Sequence, residues 1–121
     1  FRGPNRSLLF LPDHDRWEAT LSAHGAPTIR SWMSTLEVDI ALIDGTFWSE
    51  DELDGRSQAD VPHPPVQETL QRLGQREEGD PDIVFVHLNH TNPLHDATSS
   101  EAQAVRALGW CVGEQGMTFT L

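Results

Sequence analysis

The sequence predicts an α/β layered fold, because short, largely apolar runs alternate along it with stretches of helical periodicity. The clearest runs are residues 7–11, 38–43 and 83–86. They lack the apolar–polar alternation of a half-exposed sheet, so strands covered on both faces are expected. Each run delivers a polar cluster at its C-terminal end, at residues 13–15, 44–46 and 87–92. Ligands of open α/β sheets sit beyond the carboxyl ends of the strands, so chemistry is expected there.

Taken in order, residues 7–11 (Ser-Leu-Leu-Phe-Leu) form a buried strand stopped by Pro12, which has no N–H to give a ladder. Asp15, with Glu18 three residues on, is the acidic N-cap candidate of a short helix that Gly25 and Pro27 interrupt. Thr28 opens a second helix with Ile29, Trp32, Met33 and Leu36 on one core-facing stripe. Residues 38–43 are the next strand, ended by the turn Asp44-Gly45-Thr46. Residues 49–65 are polar, acidic and proline-rich, a long connection of the kind that is usually functional or mobile. Pro64 and Pro65 suit the first turn of a helix whose apolar face is Val66, Leu70 and Leu73. After a charged turn at 74–81, residues 83–86 form a third buried strand leading into His87-Leu88-Asn89-His90-Thr91-Asn92-Pro93. Residues 99–108 read as a helix with Ala102, Val105 and Leu108 inward, ended by Gly109. Residues 110–112 and 117–121 read as two short strands around a turn.

The 121 residues are the length of one domain, residues 1–121. The formal charge is −11, and all eight basic residues are scattered arginines. Nothing resembles the basic patch that neutralises phosphates, so no nucleic-acid partner is expected, and anionic membranes are disfavoured for the same reason. The acidic excess reads first as a soluble, self-repelling surface and second as a contribution to cation binding. Cys111 is the only cysteine, which excludes an intrachain disulfide and a cysteine zinc cluster. Beside Trp110 it is expected to pack as a small buried hydrophobe. No run has the length of a transmembrane helix and no charged-then-apolar leader is present. The chain opens Phe-Arg-Gly-Pro without methionine, as if cut from something longer, and a cytoplasmic location is the expectation.

Imidazoles and carboxylates are what Zn²⁺, Mn²⁺ or Fe²⁺ take from a cysteine-poor protein. Strand-end Asp13, strand-end His87 and loop-borne His63 converge if their strands are neighbours. Singly, a strand-end Asp is usually a cap or turn residue, and a single His is usually a surface or hydrogen-bonded one. His87 and His90 either both face one pocket, or His87 faces inward while His90 braces the Thr91-Asn92-Pro93 turn; the second is favoured. His14, His24 and His95 lie among polar residues and are expected at the surface. Asp44-Gly45-Thr46 reads first as a hydrogen-bonded turn, and otherwise as Asp44 fixing the tautomer of a metal-ligating histidine. No serine-hydrolase elbow, P-loop, dinucleotide fingerprint or zincin motif occurs.

Three blocks resemble one family. Leu8-Leu9-Phe10-Leu11-Pro12-Asp13, Ile43-Asp44-Gly45-Thr46-Phe47-Trp48 and Val86-His87-Leu88-Asn89-His90-Thr91-Asn92-Pro93 look like the second half of the pyrroloquinoline-quinone biosynthesis B family and its metallo-hydrolase relatives. The closing Gly116-Met117-Thr118-Phe119-Thr120-Leu121 resembles that family's terminal strand. The likeness implies the C-terminal half of a metallo-β-lactamase αβ/βα sandwich, with metals at one edge between two half-domains. It implies Asp13 and His87 as metal ligands and His63, in Val61-Pro62-His63-Pro64, as the residue that helps the substrate or leaving group. Asp44, His90 and Asn92 would support these from behind.

The family's histidine-rich opening motif is absent from this chain, so the divalent metal site (zinc, iron or manganese) is expected to be incomplete here. A missing N-terminal half-domain, or a homologous subunit, is the expected partner, and the chain is expected to be inactive alone. In the family the position of His90 is usually Asn, which opens the possibility of a sister group of hydrolases. The resemblance implies a small-molecule or peptide-derived substrate, a peptide-derived tyrosine with iron in the quinone pathway itself. The competing expectation is a non-catalytic binding or assembly half-domain whose histidines are structural.

Overall fold

The computed structural model describes residues 1–52 and 62–121. Among these, β1 (Leu8–Leu11), β2 (Ile40–Asp44), β3 (Asp82–Val86) and β4 (Cys111–Val112) form one sheet in sequential order, every pair parallel. Helices α1 (Trp17–Ala23) and α2 (Ile29–Thr35) link β1 to β2, α3 (Val66–Leu73) lies between β2 and β3, and α4 (Ser100–Ala107) links β3 to β4. The centre of the expected long connection, residues 53–61, lies outside the described residues. No described helix is long and apolar enough to cross a membrane.

The strand order decides where the core lies. Parallel neighbours joined by right-handed crossovers carry each connecting helix to the same side of the sheet. The in-register rows Leu9–Ala41–Ile83 and Leu11–Ile43–Phe85–Val112 accordingly pack in one cluster with Trp17, Ile29, Met33, Leu73 and Val105 from the helices. The intervening row Phe10–Leu42–Val84–Cys111 points the other way. Phe10 is 53% exposed there. Among the described residues helices therefore cover one face, where the apolar runs lead to the expectation of cover on both.

The second face is partly traced by the C-terminal segment. A cavity is lined by Leu42, Val84 and Val86 of the sheet and by Met117 and Phe119. Leu121 ends against Gly3, where a Cβ would collide with it. Residues 117–121 lack the ladder hydrogen bonds of a strand, contrary to the sequence expectation. Cys111 is exposed rather than buried. In a strand its neighbours Trp110 and Val112 take the helix side, so it must face away.

Local signals set the helix ends with one shift. Thr28 caps α2 reciprocally: its Oγ1 accepts from Ser31 N and Ser31 Oγ accepts from Thr28 N, both at 3.1 Å. Ser99 Oγ accepts from Ala102 N at the start of α4. At α1 the N-cap is Arg16, not Asp15, and it makes no side-chain cap bond. Asp15 instead pairs with Arg16 Nε at 3.3 Å.

Two polar ties lock helices to their surroundings. Buried Trp17 donates its Nε1–H to Thr69 Oγ1 at 2.8 Å, joining α1 to α3. Arg30 on α2 gives Nε–H to Asp80 Oδ1 at 2.9 Å and its terminal nitrogens to Leu73 O at 2.5 Å and Gln75 O at 2.6 Å. Burial pushes the Asp80 carboxyl up, but the hydrogen bonds from Arg30 and the Glu77 N–H, together with the charges of Arg30 and Arg76, hold it below its ordinary value.

Thr69→Val is expected to strand the Trp17 N–H inside the core and lower unfolding stability by about 1–3 kcal/mol, read from urea unfolding. Because the folded carboxyl of Asp80 titrates below its unfolded value of 3.8, its contribution is full above that value and fades as pH falls through the folded one. Asp80→Asn should therefore be less stable than wild type at neutral pH. The gap should narrow when the same unfolding curves are recorded at about pH 3.

Candidate functional site

The carboxyl ends of β1, β2 and β3 meet around Asp44, whose side chain ends β2 at 2% exposure. Its Oδ1 accepts from Thr46 N at 2.8 Å and its Oδ2 from His14 N at 2.9 Å. Oδ2 also faces His63 Nδ1 at 2.6 Å. The carboxylate is the acceptor in each of these bonds, so the network assigns the Nδ1 hydrogen to His63 and leaves Nε2 as its acid–base nitrogen. That nitrogen lies 3.8 Å from Asp13 Oδ1 on the turn after β1. The His63 ring is packed edge-on to Phe47 at 5.8 Å and lies 5.8 Å from the His87 ring.

Thr46 ties the two imidazoles together. Its Oγ1 is 3.2 Å from His63 Nδ1 and 3.0 Å from His87 Nδ1. His87 reaches it from the end of β3 with a left-handed backbone, φ 62°, a conformation that costs a non-glycine residue roughly 1–2 kcal/mol. The two strand ends approach closely at Gly45: its N donates to Val86 O at 2.8 Å, and a Cβ would sit 2.9 Å from Leu88 Cδ2. Glycine is required here by this approach of β3, more than by the turn the sequence suggests.

The loop after β3 is laced onto the loop after β2. Buried Asn92 donates Nδ2–H to Gly45 O at 2.7 Å and to Thr46 O at 3.3 Å, and its Oδ1 accepts from Leu94 N at 2.9 Å. Asn89 N donates to Thr46 O at 2.9 Å. Thr91 Oγ1 donates to Glu52 Oε1 at 2.5 Å, and Glu52 Oε2 accepts from Trp48 N at 2.6 Å. His90 is exposed. The turn is braced by Asn92 and by His95, whose Nε2 meets Asn89 O at 3.1 Å.

The structure thus brings His63 beside Asp13, Asp44 and His87, and sets Asn92 beneath them. His24 and His95 are at the surface as expected. His14 is not: it is 5% exposed, with Trp17 at 4.4 Å between ring centroids and its Nε2 2.7 Å from Thr20 Oγ1. Burial pushes its pKa down, which keeps the ring neutral, and its Nδ1 has no partner among the described residues. The signal for this inward turn was Trp17 three residues on, an aromatic that must be buried. In sequence Thr46 is a turn residue; its bridging position depends on β3 lying beside β2, which composition does not reveal.

Asp44, His63 and His87 each offer a ligand atom within 4.8 Å of the others. The chemistry of that donor set suits zinc or iron, but the geometry divides it. Donors about 2.0–2.1 Å from one tetrahedral zinc lie roughly 3.3 Å apart. At 2.6 Å, Asp44 and His63 are a hydrogen-bonded pair rather than co-ligands. Asp13, with its side chain 80% exposed, and the exposed His87 remain as donors not tied to a charged partner at hydrogen-bond distance.

Half of an α/β sandwich, with helices on one side of its sheet and acidic and imidazole groups on the carboxyl edge, is the class this architecture defines. It is the C-terminal half of a metallo-β-lactamase fold. No family model matches the chain. In sequence it is 33% identical over 96 residues to coenzyme PQQ synthesis protein B of Xanthomonas euvesicatoria, covering 69% of this chain and 30% of that protein. It is 33% identical over 91 residues to the Gluconobacter oxydans protein of the same name, covering 69% and 29%. In structure it is similar to zinc-bound PqqB from Methylobacterium extorquens, at TM-score 0.69 and 25% identity, over 99% of this chain and 39% of that one. The chain therefore resembles coenzyme PQQ synthesis protein B in both sequence and fold, and spans about 30% of the length of these curated relatives.

Asn92→Ala removes the partners of three backbone groups at once. It is expected to lower stability by about 2–4 kcal/mol, near the sum of such losses after relaxation. The amide hydrogens of residues 45–46 and 94 should lose exchange protection before those of β1, which hydrogen exchange resolves.

Proposed function

We propose that the complete protein is a metal-dependent hydrolase of the metallo-β-lactamase superfamily and that this chain contributes part of its metal site. The observation that carries this reading is the Asp44–His63 pair at 2.6 Å, directed at Asp13 and adjoining His87. A buried carboxylate orienting an imidazole whose far nitrogen faces a strand-edge carboxylate is an arrangement for moving protons. Asp13 and His87 would hold the cation, zinc, iron or manganese. When bound, it supplies Lewis acidity that brings water within reach of ionisation near neutral pH.

The chain's own residues do the remainder. His63 donates or accepts a proton at Nε2 while Asp44 holds its Nδ1–H. Asn92 and Gly45 keep the His87 loop against the end of β2. Two donors do not complete a tetrahedral site. The rest would come from a companion N-terminal half-domain or a homologous subunit docked against Phe10, which β1 leaves 53% exposed. The substrate would be a small or peptide-derived molecule.

A second reading, a non-catalytic assembly half-domain, has one observation in its favour: Phe10, 53% exposed on β1, offers a partner an apolar contact whatever the histidines do. Metal content separates the two readings. In a protein pairing this chain with its companion half, His87→Ala and Asp13→Ala should each remove bound metal, measured by elemental analysis. Circular dichroism should stay that of wild type. Wild-type stoichiometry in both variants overturns the ligand assignment, and absence of metal from the wild-type pair favours the assembly module.

A further inference from the structure

The hydroxyl of Thr46 faces Nδ1 of two imidazoles and has one proton to give. His63 Nδ1 already carries a hydrogen, donated to Asp44 Oδ2 at 2.6 Å, so it cannot also accept one from Thr46. Among the described residues the remaining partner of that hydroxyl is His87 Nδ1 at 3.0 Å. Thr46 is 7% exposed, which makes an unspent hydroxyl proton there costly.

We propose that Thr46 is a positioning residue that sets the tautomer of His87. In the metal-free chain its O–H donates to Nδ1, so neutral His87 carries its proton on Nε2. Binding a cation at Nε2 requires the opposite tautomer, with Nδ1–H donating to a Thr46 hydroxyl that has turned its own proton away. The two neighbouring histidines are thereby held in opposite tautomers by one short segment, Asp44 acting on His63 and Thr46 on His87. Reversal of the Thr46–His87 bond then accompanies metal loading. That last consequence rests on the metal-site reading; the tautomer assignment does not.

The test is made on the metal-free 121-residue chain, labelled with ¹⁵N in its imidazoles, at a pH well above the histidine range. Long-range ¹H–¹⁵N correlation spectra report which ring nitrogen carries the hydrogen. His63 should be the Nδ1–H form. For His87 the ratio of Nε2–H to Nδ1–H should exceed that of exposed His90 by roughly fivefold, the bias conferred by one hydrogen bond of ordinary net strength. Thr46→Ser should keep that ratio and Thr46→Val should bring it down to that of His90. A predominantly Nδ1–H His87 in wild type, or a ratio unmoved by Thr46→Val, overturns the proposal. If the valine variant does not fold, the wild-type and serine spectra decide it alone. Zinc added afterwards to the wild-type chain paired with its companion half reads the separate question: an unshifted His87 Nε2 resonance defeats the metal reading and leaves the tautomer result standing.

Discussion

A carboxylate buried to 2% exposure is stable only if its oxygens are filled with hydrogen bonds, and Asp44 is the point at which three segments of this chain supply them. The turn after β1 gives the His14 N–H, the turn after β2 the Thr46 N–H, and the long connection the His63 imidazole. One buried charge therefore fixes the relative positions of segments separated by 30 and 19 residues. The end of β3 joins through Thr46, and Asn92 beneath it keeps the backbone of Gly45 and Thr46 satisfied. Removing Asp44 would loosen the whole carboxyl edge rather than delete one contact.

The same edge is the rim of a one-sided fold. Sequential parallel strands place every described crossover helix on one face, so among the described residues the opposite row from Phe10 to Cys111 receives the C-terminal segment. β1 runs from that row to Asp13, and β3 runs from it to His87. In the proposed complete protein a partner that covers Phe10 would lie along β1, the strand that leads to Asp13. On that proposal, covering β1 and completing the site would be linked in one packing step.

Much of this was legible in the sequence, for identifiable reasons. Apolar runs bounded by Pro12, by Asp-Gly-Thr and by the His-rich turn placed β1, β2 and β3 within two residues of where they lie. Thr28 and Ser99 marked two helix starts by their side-chain chemistry. What could not be read was sidedness. A strand apolar on both faces looks the same whether helices, another sheet or a short tail cover its second face, which is why two-sided cover was expected. Cys111 was misplaced because hydrophobicity says that a residue can be buried, while strand parity decides whether it is. His14 departs in the opposite sense: its immediate neighbours are polar, and the one signal for burial, Trp17 three residues on, outweighs them only once α1 packs the indole into the core.

The strand ends also show how burial divides labour between residues of one type. Asp44 and Asp13 are both strand-edge aspartates. The first is saturated by two backbone N–H groups and an imidazole, so swinging an oxygen to a cation would strand buried donors at about 1–3 kcal/mol each. The second is exposed and meets His63 only at 3.8 Å, so it is free to turn without such a loss. The histidines divide likewise. His63 is bound at Nδ1 by the Asp44 carboxylate, which fixes its ring, whereas His87 is bound by a neutral hydroxyl that can reverse its own direction. A rigid pair behind and a reorientable pair in front follow from which groups the fold buried, not from which residue types it used.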